Sequence, residues 1–140
     1  AHGMTVGIHG STFGGNPLAM AVGNAVLDVV LEPEFLAHVR DIGLRLRQQL
    51  AEISDAHPGM IEEVRGEGLM LGLKSAPPAG DVVAALRAQH MLAVGAGENV
   101  VRLVPPLNIG EDEVREACAR LDAAFTALGS GAPAVAAHHG

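Results

Sequence analysis

The chain has 140 residues, a formal charge of −7 with nine basic residues, and 49% apolar side chains. That is one ordinary domain with enough apolar mass for a core, which excludes a disordered chain. The acidic balance, 2% aromatics and lack of Trp and Tyr argue against nucleic-acid binding by charge or by base stacking.

Asn16-Pro17 predicts a helix start, with Asn as cap and Pro at the first helical position. The run to Leu31 is apolar on nearly every side, with Asn24 and Asp28 as its only polar stripe. It is too short and too interrupted for a membrane span, and reads as a buried helix between two packed bodies. Pro33 opens a second helix, with Phe35, Val39, Ile42, Leu46, Leu50 and Ile53 on one stripe until His57-Pro58-Gly59 breaks it. Ile61 to Val64 predicts a short strand, Gly66-Glu67-Gly68 a tight turn, and Leu69, Leu71 and Leu73 the buried face of the next strand. A loop at Pro77 to Gly80 leads to a third helix through Val82, Val83 and Leu86, ending near His90. Met91 to Val94 predicts a strand, Gly95 to Asn99 a hairpin turn, and Val100 to Val104 a strand stopped by Pro105-Pro106. The last helix carries Val114, Cys118, Leu121, Phe125 and Leu128, with Glu111, Asp112 and Glu113 in its first turn. There are no internal repeats. The order implies an α+β fold with a small, mostly antiparallel sheet covered by helices.

Four features carry chemistry, each with a plainer alternative. The loop Gly10 to Gly15 holds Ser11 and Thr12 and suits a phosphate, since glycines bare the amides and the hydroxyls donate; it equally suits a helix-entry turn. It lacks the Lys-Ser/Thr pair of a nucleotide-binding P-loop. Arg102 interrupts an apolar strand and shares a face with Val100 and Val104, where an unpaired charge is costly. It reads as half of an ion pair or as a fork for a substrate carboxylate. Lys74, the single lysine, is a Schiff-base candidate if desolvated, or a side chain snorkelling from a sheet edge. Cys118 reads as an inert core thiol, and as the only cysteine it excludes an internal disulfide, in keeping with a cytoplasmic setting. The seven histidines show no metal spacing, and Gly95-Ala96-Gly97 lacks the third glycine of a dinucleotide loop.

HGSTFGGNPLA at 9–19, RGEGLMLG at 65–72 and VVRLVPPL at 100–107 follow the order of motifs in the class III aminotransferases. The chain resembles the C-terminal part of these fold type I, pyridoxal-phosphate enzymes over about residues 7–128, most of all in their acetylornithine and ornithine branch. The resemblance implies a cytoplasmic homodimer with amino-acid and 2-oxo-acid substrates, no nucleic acid and no membrane. N-acetylornithine or a related ω-amine would give its amino group to 2-oxoglutarate. Thr12 would reach the cofactor phosphate across the dimer interface, Ser11 would line the substrate pocket, and Arg102 would handle a substrate carboxylate. The lysine that binds the cofactor lies upstream in the family, and Lys74 does not match it, so no catalytic residue is expected in this chain. It begins at Ala1 without Met and reads as a piece of a longer protein. The implied divisions are a phosphate loop ending the large domain (1–15), an interdomain helix (16–31), the C-terminal small domain (32–128) and a flexible tail (129–140). A free-standing, non-catalytic ligand-binding or interaction module is the alternative.

Overall fold

The computed structural model describes residues 10–131; His9 and most of the expected tail lie outside the described residues. The element order is α1 (Pro17–Val30), α2 (Pro33–Ala56), β1 (Ile61–Glu67), β2 (Met70–Ser75), α3 (Ala79–Ala88), β3 (Val94–Ala96), β4 (Val100–Leu103) and α4 (Glu111–Gly129). The chain divides into two compact units, Ala1–Ala37 and His38–Gly140, with the boundary inside α2.

In the first unit, α1 starts as its local chemistry dictates. The Asn16 side chain accepts from the Ala19 amide at 2.9 Å, and Pro17 stands at the first turn. None of its residues is buried. Leu18, Met20, Val22, Val26, Leu27 and Val29 are each more than half exposed, so the apolar helix is fully formed with its apolar surface bare.

The second unit contains a four-stranded sheet of order β1-β2-β4-β3, every neighbouring pair antiparallel. Its covered face carries Leu71, Leu73, Val101 and Leu103, which join one core with Ile42, Leu46, Leu50 and Ile53 of α2, Val82 and Leu86 of α3, and Val114, Leu121 and Phe125 of α4. The three helix stripes expected from spacing thus supply the core, Cys118 included, with Val39, Val83 and Leu128 packed partly against it, whereas Phe35, expected on the α2 stripe, is not part of it.

The β1–β2 hairpin turns two residues later than Gly66 to Gly68 suggested. Glu67 pairs with Met70, so Gly68 and Leu69 make the turn and Leu69 tucks into the core. Gly66 sits within β1 at φ 120°, and a Cβ there would come within 2.1 Å of Met70 O, so only glycine fits. Gly43 of α2 packs on this turn, where a Cβ would stand 2.8 Å from Gly68 O. The RGEGL motif is thus a device for seating the hairpin against the helix.

Two strand expectations are corrected. Met91 to Ala93 lie outside the sheet, and the strand is the shorter Val94–Ala96. The turn fixes this: Ala96 pairs with Val100, leaving Gly97-Glu98-Asn99 as the connection, with Glu98 and Asn99 at φ 59° and 62°. Lys74 is not on a sheet edge, because β4 pairs alongside β2 and makes it an inner strand.

Candidate functional site

The Gly10–Gly15 loop is a tight reversal held to α1 by one residue. The Gly14 amide donates to Ser11 O at 3.4 Å, the Asn16 amide donates to Phe13 O at 3.3 Å, and Asn16 Nδ2 donates to the same carbonyl at 2.7 Å. Asn16 therefore caps the helix with its oxygen and clamps the loop with its nitrogen. Gly15 adopts φ 76°, which lets the chain turn directly into the cap. Ser11 and Thr12 are exposed at the head of this reversal, and neither hydroxyl is hydrogen-bonded to another described residue. A Cβ added at Gly10 or Gly15 would touch nothing within 4 Å. Free hydroxyls and uncrowded backbone next to a helix N-terminus fit a phosphate group.

Arg102 is exposed rather than buried, which corrects the expectation of a costly charge on an apolar face. The strand's covered face is Val101 and Leu103, and Arg102 projects from the opposite, open face with its cross-strand partners Gly72 and Val94. Among the described residues no carboxylate forms an ion pair with Arg102. A guanidinium held on a rigid strand with its donors uncommitted is able to receive a carboxylate from outside.

The same open face carries two ion pairs. Lys74 Nζ lies 2.9 Å from Glu62 Oε2, and Arg65 lies 3.6 Å from Glu98 Oε2. The hydrogen bond and charge of Glu62 raise the Lys74 ammonium above its ordinary value, the reverse of what a nucleophilic amine needs. Cys118 is equally unsuited to chemistry: burial first, then the charge of Glu52, pushes its thiol up to about 11. His57 is tied to Asp122 at 2.7 Å and His38 to Ile109 O at 2.9 Å, and no three metal-ligating side chains converge among the described residues.

Ser11 and Thr12 are brought together in the first unit, and Arg102 stands in the second. Arg102 lines none of three cavities in the second unit: one of about 240 Å³ lies between Arg45, Glu52 and Arg115, an apolar one of about 250 Å³ lies under Pro105 and Ile109, and an open one of about 300 Å³ lies beside His90 and Arg120. Ser11, Thr12 and Arg102 therefore each sit on an exposed surface of their own unit. Sequence reading missed Arg65 and Glu98; the alternation of Arg65 and Glu67 on β1 was the available signal.

The family model Aminotransferase class-III matches residues 1–125. The chain belongs to the class-III aminotransferases. Acetylornithine aminotransferase of Agrobacterium fabrum is 58% identical over 128 residues, 91% of this chain and 32% of that protein. Acetylornithine aminotransferase of Bacillus subtilis is 45% identical over 122 residues, 86% of this chain and 31% of its own length. Among solved structures, N-acetylornithine aminotransferase from Stenotrophomonas maltophilia superposes with a TM-score of 0.78 at 38% identity, covering 84% of this chain and 33% of that one. Ornithine aminotransferase from Toxoplasma gondii matches with a TM-score of 0.78 at 33% identity, covering 91% and 31%. The chain thus spans about a third of the length of these class-III relatives. The small α+β unit is the fold these aminotransferases share.

Proposed function

We propose that this chain is the C-terminal part of an acetylornithine-type aminotransferase, a cytoplasmic homodimer that moves an amino group from N-acetylornithine or a related ω-amine to 2-oxoglutarate. Residues 1–15 end the large domain, 16–31 form an interdomain helix, and 32–128 form the small domain. The observation that carries this reading is a class-III match along nearly the whole chain, with curated relatives named acetylornithine aminotransferase at up to 58% identity. The bare apolar surface of α1 supports it, since such a helix is stable in water only when other protein covers it. No helix among the described residues is long and apolar enough to cross a membrane.

Pyridoxal phosphate, when bound, supplies the electron sink for the transfer. Thr12 would donate its hydroxyl to the phosphate, and the amides of the glycine loop would add further donors that keep the group from rotating. Ser11 offers a second hydroxyl to the substrate side. Arg102 grips a substrate carboxylate with two parallel N–H donors, which fixes the orientation of the reacting carbon. Lys74 takes no part, because Glu62 holds it protonated.

The test compares two proteins. The full-length enzyme is expected to transaminate N-acetylornithine with 2-oxoglutarate. The 140-residue chain alone is expected to show neither turnover nor a borohydride-reducible adduct on Lys74. Turnover by the isolated chain, coupled to such an adduct, would overturn the reading.

A further inference from the structure

Thr12 is separated from α1 by Phe13, Gly14, Gly15 and Asn16. Glycine loses more conformational freedom on ordering than any other residue, so Gly14-Gly15 alone transmits no fixed orientation from the helix to the hydroxyls. Asn16 closes that gap. Its Nδ2 donates to Phe13 O at 2.7 Å, its backbone amide donates to the same oxygen at 3.3 Å, and its Oδ1 accepts from the Ala19 amide at 2.9 Å. These partners settle which end of the side-chain amide is which, because the Ala19 N–H can only donate and the Phe13 carbonyl can only accept. The side chain is thus a bracket from the first turn of α1 to the carbonyl of the residue after Thr12. Helix capping alone does not ask for Asn. Ser and Asp cap about as well, but Asp has no donor to give Phe13 O, and the Ser hydroxyl ends a bond short of it.

We propose that Asn16 is a positioning residue for the hydroxyl loop, whose hold on Phe13 O keeps the Thr12 hydroxyl in the arrangement that receives the cofactor phosphate. Its side chain is engaged by Ala19 and Phe13, so it acts through the loop rather than on the phosphate itself. One amide thereby serves two ends: the oxygen starts the helix, and the nitrogen sets the grip. The inference rests on the cofactor reading above and names the residue that aligns that site.

The experiment uses the full-length enzyme, its cofactor-free form and two probes, pyridoxal phosphate and pyridoxal, which share ring and aldehyde and differ in the phosphate. Asn16→Ser keeps a cap and removes the bracket. It is expected to weaken pyridoxal phosphate by about 3–10-fold, the loss of one neutral hydrogen bond, while pyridoxal affinity and the urea midpoint of the cofactor-free protein stay unchanged. Asn16→Asp also keeps the cap but sets a carboxylate against Phe13 O, and is expected to weaken pyridoxal phosphate further. In a Thr12→Ala background Asn16→Ser is expected to have a smaller effect, because the hydroxyl it aligns is gone. Pyridoxal weakened as much as pyridoxal phosphate, a urea midpoint that falls in Asn16→Ser, or an equal effect in both backgrounds overturns the proposal. Weaker cofactor binding in Thr12→Ala with none in Asn16→Ser sinks the positioning role alone, whereas equal retention by the parent and Thr12→Ala sinks the phosphate reading on which it rests.

Discussion

Gly43 of α2 and Gly68 of the β1–β2 turn meet backbone to backbone, so that a Cβ on Gly43 would stand 2.8 Å from Gly68 O. This contact brings the helix close to the sheet, and Arg47 adds a hydrogen bond to Gly66 O one turn further on. Gly43→Ala is expected to destabilise the unit by roughly 1–3 kcal/mol, since the added methyl must push backbone apart. Gly66→Ala is expected to cost more, because it combines φ 120° with a 2.1 Å clash on Met70 O. Urea unfolding of the full-length variants gives both values. A Gly66→Ala protein as stable as the parent would contradict this packing.

Asn99 links the β3–β4 turn to the start of α3. Its Oδ1 accepts from the Ala79 amide at 2.6 Å, and its Nδ2 donates to Ser75 O and, at 2.9 Å, to Pro77 O. Helix α3 begins after Pro78, whose side chain cannot cap, so the cap arrives from 20 residues away. Asn also tolerates the φ of 62° found here. Asn99→Ala is expected to lose about 1–2 kcal/mol, from part-buried carbonyls that lose the Asn99 donor, Pro77 O keeping only the Ser75 hydroxyl, and from an uncapped amide. A loss within ~0.5 kcal/mol, measured by thermal unfolding, would show the network to be dispensable.

The helices were legible because their signals are local. Asn16-Pro17 caps where it stands, and the stripes of α2 and α4 need only a count of spacings. Strand faces were less legible. Val100 and Val104 flank Arg102 and suggested a buried side; Val100 is indeed buried at 4%, but Val104 and Arg102 are exposed, and Val101 and Leu103 make the main core contact. A strand with apolar residues on both sides does not reveal which face is covered until its neighbours are known. The placement of Lys74 failed for the same reason: sheet order is set by β4 pairing beside β2, a contact far away in sequence. The reversal ahead of α1 was legible from its glycines, but not its clamp, because Asn16 serves the cap and the loop at once.

Burial holds the Cys118 thiol neutral, with its pKa raised from 9.0 to about 11. The folded protein therefore keeps a proton that the unfolded chain releases above pH 9. Stability from this group is complete below pH 9 and falls as pH rises toward 11. Cys118→Ala is expected to flatten that part of the stability–pH curve, while creating a small cavity that lowers stability at every pH. In the folded parent at pH 8, a thiol reagent is expected to react only at the rate of unfolding. Rapid labelling under native conditions would contradict the burial of Cys118.

Arg102→Ala in the full-length enzyme is expected to raise KM for the acidic substrate by about 10–100-fold with a smaller change in kcat, as expected for loss of a two-pronged carboxylate contact. Arg102→Lys is expected to recover little of it, because an ammonium keeps the charge but not the fork. Since Arg102 is exposed on an open face, neither variant is expected to lower folding stability by more than ~0.5 kcal/mol. Steady-state kinetics together with urea unfolding separate the two effects. Unchanged kinetics in both variants would remove Arg102 from the substrate site.

The phosphate grip is tested most directly by the dissociation constant of pyridoxal phosphate from the full-length enzyme, parent against Thr12→Ala, followed by cofactor absorbance during dialysis. Loss of one charge-assisted hydrogen bond of about 1.5–3 kcal/mol predicts cofactor held roughly 10–100-fold more weakly, with unfolding unaltered because Thr12 is exposed. Equal retention by parent and variant would show that the hydroxyl loop ahead of α1 does not hold the cofactor's phosphate.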